Sequence, residues 1–305
     1  MNNKKKSSTE EKASLDVIFF ASTPNQDVGS YRIWVGDLQH YLMAIGMRCA
    51  EIRDVADLAH HDAPVMFVAK EDAKFVPLLR SSFGGLIGLI NPKSETAKLA
   101  DFAIVGSHEE RISLLSAGPA FIFPLIERMY EGHGIRKHSD DKELVIGYHG
   151  NHYHLMRMQD GLCSALEQFA TERAVVFRAF VPKGTKINRR LLPRSVNCEI
   201  QDWRRATIAE EIQKMDIGVV VNAAKTSVLT NPFQRSGRYS NDYKIRFKNK
   251  SNPGRIFPFI QLGVPVIADI TPSNFHLFGG ATGGLLAFDS ASWLHALRQL
   301  SDAQA

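Results

Sequence analysis

The stretch YKIRFKNKSNPGRIFPFIQLGVPVIAD, residues 243–269, changes from a basic run to an apolar one. The sequence S-N-P at 251–253 stands at the change, and such residues commonly cap a helix and occupy its first turn. We therefore predict a helix over 255–262 that ends at Gly263 and leads into a buried strand. Because backbone N–H groups are free at a helix start, this stretch predicts a phosphate site.

The charge of this region differs from that of the whole chain. Residues 225–255 contain eight cations and the single acid Asp242, a net charge of +7, whereas the whole chain carries +5. Clustered like charges repel each other unless an anion neutralises them, so a focused polyanion site is predicted. The alternative is a solvated basic loop, which is the usual role of a charge run.

Length and composition favour a protein with two cores. The chain has 305 residues, 44% of them hydrophobic and 23% charged, which is enough for two α/β domains. Its three cysteines, Cys49, Cys163 and Cys198, have no C-x-x-C spacing. A zinc site or disulfide framework is therefore not expected, and the protein is expected in a reducing compartment. The first residues lack an apolar segment, so we expect a disordered tail over 1–14 and a cytoplasmic location.

No stretch predicts a membrane span. The longest apolar run, residues 256–268, contains two prolines and is shorter than the roughly 20 residues that a span requires. A sequence pI of about 9.0 is compatible with peripheral association with an anionic lipid surface, such as the inner face of a membrane. Nucleic acid is not an expected partner, because no interleaved aromatic residues and no recognised binding motif accompany the cations.

Apolar runs alternate with amphipathic segments along the chain. Residues 15–21 predict a buried strand of a parallel sheet, and a loop then delivers Gly29, Ser30 and Arg32 to a helix over 31–45. Such loops lie at the edge where open α/β sheets bind ligands. Further strands are predicted at 64–69, 85–90, 102–106, 121–125, 144–151, 174–180, 196–200 and 216–221. Intervening helices are predicted at 71–80, 94–100, from Ser107, 154–170 and 207–214.

This alternation predicts two tandem Rossmann-like domains with parallel sheets and right-handed crossovers. The polar, glycine-bearing segment 131–142 is the predicted linker. The expected organisation is an N-terminal domain over 15–130, a C-terminal domain over 143–289, and a final helix within 290–305 that packs back toward the first domain.

Several motifs resemble the GT-B class of nucleotide-sugar glycosyltransferases. GSYR at 29–32 looks like the glycine loop after the first strand of that class, and ADFAIVGS at 100–107 looks like the stretch that closes its N-terminal domain. IGYHGN at 146–151 is similar to the first strand and turn of its donor domain. The stretch 250–269 resembles the family 4 pattern in which a helix ends in L-G-x-P-V-I-A. Together these motifs cover most of the chain from Leu15 onward.

The chain also departs from the family 4 pattern. Many members carry two glutamates eight positions apart around this helix, whereas Lys250 and Pro258 occupy those positions here. A basic pair often found after the first strand of the donor domain is likewise not evident behind Gly147, where His149, Asn151 and His152 stand instead. These differences bear on ribose recognition and on the stereochemical outcome.

The resemblance implies an interdomain cleft in which a nucleotide-sugar donor and a glycan or lipid-linked acceptor meet. Without a metal, fixed cations and helix N–H groups must neutralise the departing phosphate. No D-x-D motif and no cluster with metal-ligand spacing is present, so neither a metal nor another cofactor is expected. Asp27 or His108 is the expected base for the acceptor hydroxyl. The expected donor contacts are Gly29, Ser30, Arg32, His149, Gly150, Asn151, Lys244, Arg246, Lys250, Ser251, Asn252 and Arg255.

Each of these residues also has a simpler structural explanation. Residues 29–32 could form only a helix cap, 147–151 only a tight turn, and His108 only a surface histidine. Three other functions are compatible with the sequence: a non-catalytic nucleotide- or glycan-binding relative, a sugar-nucleotide epimerase of the same architecture, and a basic nucleic-acid binder. The expected role of the enzyme is polysaccharide or glycoconjugate biosynthesis.

Overall fold

The computed structural model describes residues 13–92, 94–138, 143–155, 158, 161–221, 252–279 and 283–302. The chain divides into two compact units. The first comprises the described residues up to Gly106 together with Arg111–Phe123. The second comprises Ser107–Glu110 and the described residues from Pro124 onward.

The first unit is built on a parallel sheet. Its strands are β2 (Val17–Phe20), β3 (Cys49–Ile52), β5 (Val65–Val68), β6 (Leu86–Ile90), β7 (Phe102–Val105) and β8 (Ala120–Ile122), in the order β3-β2-β5-β6-β7-β8. All five neighbouring pairs are parallel. A separate two-residue ladder joins β1 (Ala13–Ser14) to β4 (His61–Asp62). Because the chain reverses its direction across the sheet between β2 and β5, the ligand edge of this unit lies at their carboxyl ends.

Short helices connect these strands. They are α1 (Gly29–Tyr31), α2 (Leu38–Ala44), α3 (Val76–Ser82), α4 (Ser94–Ala97) and α5 (His108–Ser113). A π-helix, Arg32–Asp37, joins α1 to α2, and 3₁₀ helices cover Val55–His60 and Lys70–Phe75. The helix predicted over 31–45 therefore begins two residues earlier, so Gly29 and Ser30 lie inside α1 rather than in the preceding loop.

The second unit repeats the arrangement. Its strands are β9 (Glu143–His149), β10 (Ala174–Val181), β11 (Asn197–Asp202), β12 (Ile217–Val220), β13 (Val266–Asp269) and β14 (Gly284–Ala287), in the order β11-β10-β9-β12-β13-β14. Every neighbouring pair is again parallel. The reversal of strand order falls between β9 and β12. The prediction of two α/β domains with parallel sheets is confirmed.

The helices of the second unit lie against this sheet. They are α6 (His152–Leu155), α7 (Leu162–Phe169), α8 (Ile208–Gln213), α9 (Ile256–Gln261), α10 (Pro272–Phe278) and α11 (Ser290–Ser301), with 3₁₀ turns at Arg128–Tyr130 and Arg189–Leu191. The last helix was expected to pack back toward the first domain. Trp293 and Leu297 of α11 are buried in one core of the second unit with Leu166 of α7.

A glycine in β12 positions α9. A Cβ atom at Gly218 would lie 2.5 Å from Cδ1 of Phe259, closer than any side chain tolerates, so α9 packs directly on the bare backbone of the strand. Phe259 and Ile256 are fully buried there, and burying each such side chain contributes roughly 1.5–3 kcal/mol. This packing fixes the start of α9 near the carboxyl edge of the sheet.

The described part of the predicted linker, residues 131–138, is attached to the second unit. Arg136 donates its backbone N–H to the Leu262 carbonyl at 2.8 Å, and its guanidinium forms an ion pair with Asp216, in which both side chains are about nine-tenths buried. His138 Nε2 lies 2.9 Å from the Gly263 carbonyl, which can only accept a hydrogen bond. We call this segment, residues 131–138, the strap. It is therefore attached to the second unit by hydrogen bonds and an ion pair instead of forming a free linker.

Candidate functional site

The carboxyl ends of β9 and β12 define the ligand edge of the second unit. His149 is the last residue of β9, Gly150 and Asn151 form the turn after it, and Val221 follows β12. Parallel sheets bind ligands where the strand order reverses, because the loops there diverge and leave a crevice. Three of the residues predicted as donor contacts thus lie at the expected edge, although contact with a donor stays a prediction.

Arg255 is brought to this edge from a distant part of the chain. Its Nη1 atom donates to the Tyr148 hydroxyl at 3.0 Å and to the Val221 carbonyl at 3.1 Å. Gly150 has φ +126°, and a Cβ atom there would lie 2.7 Å from Cδ of Arg255. Glycine is therefore required both by the left-handed backbone and by the approach of the arginine. A guanidinium in this position can recognise phosphate.

Tyr148 positions both Arg255 and the turn after β9. Its buried hydroxyl donates to the Asn151 carbonyl at 2.7 Å while accepting from Arg255. Burial raises the pKa of the Tyr148 phenol, so this donor stays protonated. Tyr148 was not predicted as a site residue because it lies in an apolar strand run. The signal that could have found it is a tyrosine at the carboxyl end of such a run, since a buried hydroxyl needs partners.

His149 has a structural position rather than an exposed one. Its Nε2 atom lies 3.0 Å from the Arg255 carbonyl oxygen, so Nε2 carries the hydrogen and donates. The ring packs edge-on against Phe259 at 5.0 Å between centroids. Burial lowers the pKa of His149 to about 4, so the imidazole is neutral at physiological pH. The side chain ties the turn after β9 to the start of α9.

This histidine should make stability depend on pH. The unfolded chain binds a proton at His149 near pH 6.5, whereas the folded chain does so only near pH 4, so stability present above pH 6.5 is lost as the pH falls toward 4. At about 1.36 kcal/mol per pKa unit, the loss approaches about 3 kcal/mol. Urea unfolding at several pH values should show a smaller loss for His149→Gln than for the wild type. Equal slopes in this range would contradict the assignment.

The segment before α9 differs from the prediction. Arg255 is the N-cap residue of α9 and no side chain caps the helix, so Pro253 does not occupy its first turn. Instead the Asn252 side chain accepts from Gly254 N at 3.3 Å, and Ile256 N donates to the Pro253 carbonyl at 2.8 Å. Asparagine hydrogen bonds of this kind favour a turn over a helix start. The predicted helix end at Gly263 is confirmed, with φ +74°.

His108 lies in a polar cluster at the start of α5. Its backbone N donates to Ser273 Oγ at 2.9 Å, and its ring packs edge-to-face on His276 of α10 at 4.8 Å between centroids. The buried Glu109 carboxylate accepts from both the N–H and the hydroxyl of Ser273. Glu110 accepts from Asn252 Nδ2 at 3.2 Å. Residues 273 and 276 were missed because α10 itself was not predicted.

The predicted site residues of the first unit lie after β2. Asp27 is exposed, and its backbone N donates to the Asn25 side chain at 2.9 Å. Arg32 is buried, and its Nη1 donates to the Gln26 carbonyl at 3.1 Å. Gly29 and Ser30 begin the helical segment that contains the π-helix, an irregularity that often accompanies function. These residues occupy the ligand edge of their own sheet, and their role stays a prediction.

Asp72, which was not predicted as a site residue, also stabilises that edge. The buried Asp72 carboxylate accepts from Ser22 N at 2.8 Å and from Ser22 Oγ at 2.5 Å. Ser22 follows β2 and Asp72 follows β5, so this contact bridges the two strands between which the order reverses.

Four predicted phosphate contacts, Lys244, Arg246, Lys250 and Ser251, lie outside the described residues.

Within the described ranges, no three His, Cys, Asp or Glu side chains are grouped as a metal site would require. None of the described helices has the length and hydropathy to cross a membrane. Burial raises the pKa of the Cys163 thiol to about 12, so this thiol stays protonated and is a poor nucleophile.

This chain is similar to known proteins in its fold but not in its sequence. No protein-family model matches the sequence, and no curated protein is similar to it in sequence. Among solved structures, HepE from Anabaena in complex with UDP is 11% identical with a TM-score of 0.55, over 93% of this chain and 89% of that one. An α-glucosyltransferase in complex with UDP and a 13-mer DNA containing a HMU base is 10% identical with a TM-score of 0.55, over 95% and 90% of the chains.

A third structure matches over a shorter span. The E. coli trehalose-6-phosphate protein bound with UDP-2-fluoro glucose is 11% identical with a TM-score of 0.51, over 79% of this chain and 66% of that one. Identities this low establish the fold alone. This chain has the GT-B fold, two Rossmann-like domains in tandem.

Proposed function

We propose that this protein is a glycosyltransferase that moves a sugar from a nucleotide-sugar donor to a glycan or lipid-linked acceptor. The observation that carries the proposal is the Arg255 guanidinium at the edge where the strand order of the second unit reverses. The likeness to HepE and to the α-glucosyltransferase supports it, since both are described in complex with UDP. UDP is therefore the first nucleotide to test.

The proposed reaction needs negative charge to be stabilised on the leaving group. The acceptor oxygen forms a bond to the anomeric carbon while the bond from that carbon to the diphosphate breaks, and its electron pair leaves with the nucleotide. Arg255 and the Asn151 side chain, whose Nδ2 has no hydrogen-bond partner among the described residues, are the proposed phosphate donors. Fixed donors of this kind stabilise developing charge without reorganisation.

The acceptor hydroxyl must also lose its proton. We propose His108 as the base in preference to Asp27, because its backbone is fixed by Ser273 and its ring by His276. A neutral imidazole can accept a proton near physiological pH, and a positioned base does so efficiently. Gln in place of His108 should lower turnover more than Asn in place of Asp27.

The finer parts of the proposal concern donor, pathway and cofactor. We propose a hexose donor, a product in polysaccharide or glycoconjugate biosynthesis, a cytoplasmic location and catalysis without a metal. Protein cations would then neutralise the diphosphate in place of a divalent ion. Turnover that persists undiminished in excess EDTA is the expected result, and loss of turnover that added magnesium or manganese restores would contradict metal independence.

The proposal is tested with purified protein and a panel of UDP, GDP, ADP, CMP and dTDP sugars, each combined with glycan and lipid-linked acceptors. Nucleotide release and a mass increase of the acceptor by one sugar are expected for one pairing. Absence of release, together with absence of nucleotide-induced thermal stabilisation, would overturn it. Stabilisation without turnover would indicate a non-catalytic binder, and conversion of the donor without an acceptor would indicate an epimerase.

A further inference from the structure

Two loops of the second unit carry exposed cations beside the candidate donor site. The loop after β10 presents Lys183 and Lys186, and the loop after β11 presents Arg204 and Arg205. All four side chains are exposed, and none forms an ion pair or hydrogen bond with a described residue. We call these four residues the basic edge.

The two loops are adjacent and ordered. Val181 of β10 pairs with Asp202 of β11 in the sheet register, and Trp203 N donates to the Val181 carbonyl at 2.7 Å. Lys183 lies at the tip of a tight turn in which Thr185 N donates to the Pro182 carbonyl at 3.2 Å. Gly184 supplies the left-handed conformation of this turn, with φ +75°. The basic edge is therefore presented by fixed backbone.

The basic edge has few acids near it, unlike several other cations of the surface. Several exposed arginines have an acid at close range, for example Arg48 with Asp16 at 3.2 Å and Arg80 with Asp101 at 2.7 Å. Asp202 is the only acid in 182–190 and 202–207. The acids that follow are Glu210 and Glu211, and Glu211 is already paired with Lys214 at 2.7 Å. Positive charge at the basic edge is consequently concentrated.

The basic edge is continuous with the candidate donor site. Gly150 N, in the turn after β9, donates to the Phe180 carbonyl at 2.9 Å, one residue before Val181. Neighbouring strands are about 4.8 Å apart, so the three carboxyl ends of β9, β10 and β11 form a path of about 10 Å. A chain-like ligand lying on this path would touch both the cations and the turn.

We propose that the basic edge binds an acidic glycan and that this glycan is the acceptor of the transferred sugar. Spaced, exposed cations suit a polymer with repeated negative charges better than a single small anion, which needs an enclosed site. A membrane surface is less suited, because no large hydrophobic side chain of residues 182–207 is exposed. Nucleic acid is less suited because Trp203, the aromatic residue of these loops, is partly buried against a core of the second unit, which limits the stacking of a base on its ring.

The test measures binding of short polygalacturonate oligomers by calorimetry at two salt concentrations. The wild type should bind them with a marked salt dependence, and the combined variant Lys183→Gln, Lys186→Gln, Arg204→Gln and Arg205→Gln should bind about tenfold more weakly or worse, with a smaller salt dependence. The control variant removes four exposed charges elsewhere: Lys74→Gln, Lys98→Gln, Arg111→Gln and Lys137→Gln. Its affinity should stay within about twofold of the wild type.

Several results would overturn the inference. The first is that polygalacturonate affinity falls equally in the combined variant and in the control variant. The second is that neutral maltooligosaccharides bind the wild type as tightly as polygalacturonate does. The third is that oligothymidylate or phosphatidylglycerol vesicles bind more tightly than polygalacturonate at the same salt concentration. That the bound chain is the acceptor rests on the proposed transferase activity, whereas the binding does not. UDP-induced thermal stabilisation, measured on the same proteins, separates the two, since its absence in the wild type counts against the transferase and leaves the glycan result standing.

Discussion

Replacement of Asp216 by alanine should lower the free energy of unfolding by about 3–5 kcal/mol, because it leaves a buried arginine without its acid. Asp216 accepts a hydrogen bond from Val145 N at 2.7 Å and forms the ion pair with the Arg136 guanidinium. Arg136 also donates to the Gln213 carbonyl at 2.6 Å. The ion pair of Asp216 and Arg136 thus connects the strap, the first strand of the second unit and the end of α8.

Urea unfolding of the purified variant measures this effect. Glu172→Ala is a matched control, since it removes an acid from the exposed ion pair with Arg298 and should change stability little. Arg136→Ala should approach the loss seen for Asp216→Ala. Comparable, small losses for Asp216→Ala and Glu172→Ala would show that the strap contributes nothing specific to the second unit.

Replacement of Arg255 by alanine should weaken UDP binding by about 10- to 100-fold, the effect expected for loss of charged hydrogen bonds to phosphate. Its guanidinium is fixed by the Tyr148 hydroxyl and the Val221 carbonyl, so little entropy opposes contact with a ligand. Arg255→Lys should recover only part of the affinity, because lysine lacks the planar fork. Calorimetric titration with UDP measures both variants.

Arg298→Ala is the control for this experiment, since Arg298 is paired with Glu172 on the exposed side of α11. UDP should bind this variant as it binds the wild type. Melting temperatures establish that each variant is folded. An unchanged UDP affinity in folded Arg255→Ala protein would move the phosphate site away from this arginine, and Lys250, outside the described residues, would be the next residue to replace.

The sequence predicted the central strands and the edge strands β8 and β11, but it did not predict the other two edge strands, β3 and β14. Parallel strands buried on both faces appear as continuous apolar runs, as in residues 144–149 and 217–220, and these were found. The edge strand β3, Cys49–Ile52, contains Glu51 and lacks such a run, so it was missed. Helix α10 was missed because T-P-S-N at 271–274 was not recognised, although Thr271 caps the helix and Pro272 follows it.

The candidate site was predictable in its loops and unpredictable in its long-range contacts. The turn after β9 could be placed because ligand edges follow strand ends. The bonds from Arg255 to Tyr148 and from Glu109 to Ser273 join residues that are more than a hundred positions apart. Nothing local in the sequence indicates such pairs. The attachment of the strap was likewise not predicted, since only the fold shows that Arg136 forms an ion pair with Asp216.

Amide hydrogen exchange with and without saturating UDP tests the central claim most directly. If the nucleotide binds at the carboxyl edge of the second unit, protection should increase in the peptides that contain 149–151 and 252–258 and stay constant in the strap. Protection that is confined to 22–32 in the first unit, or no change anywhere in the chain, would contradict a donor site built around Arg255 and the turn after β9.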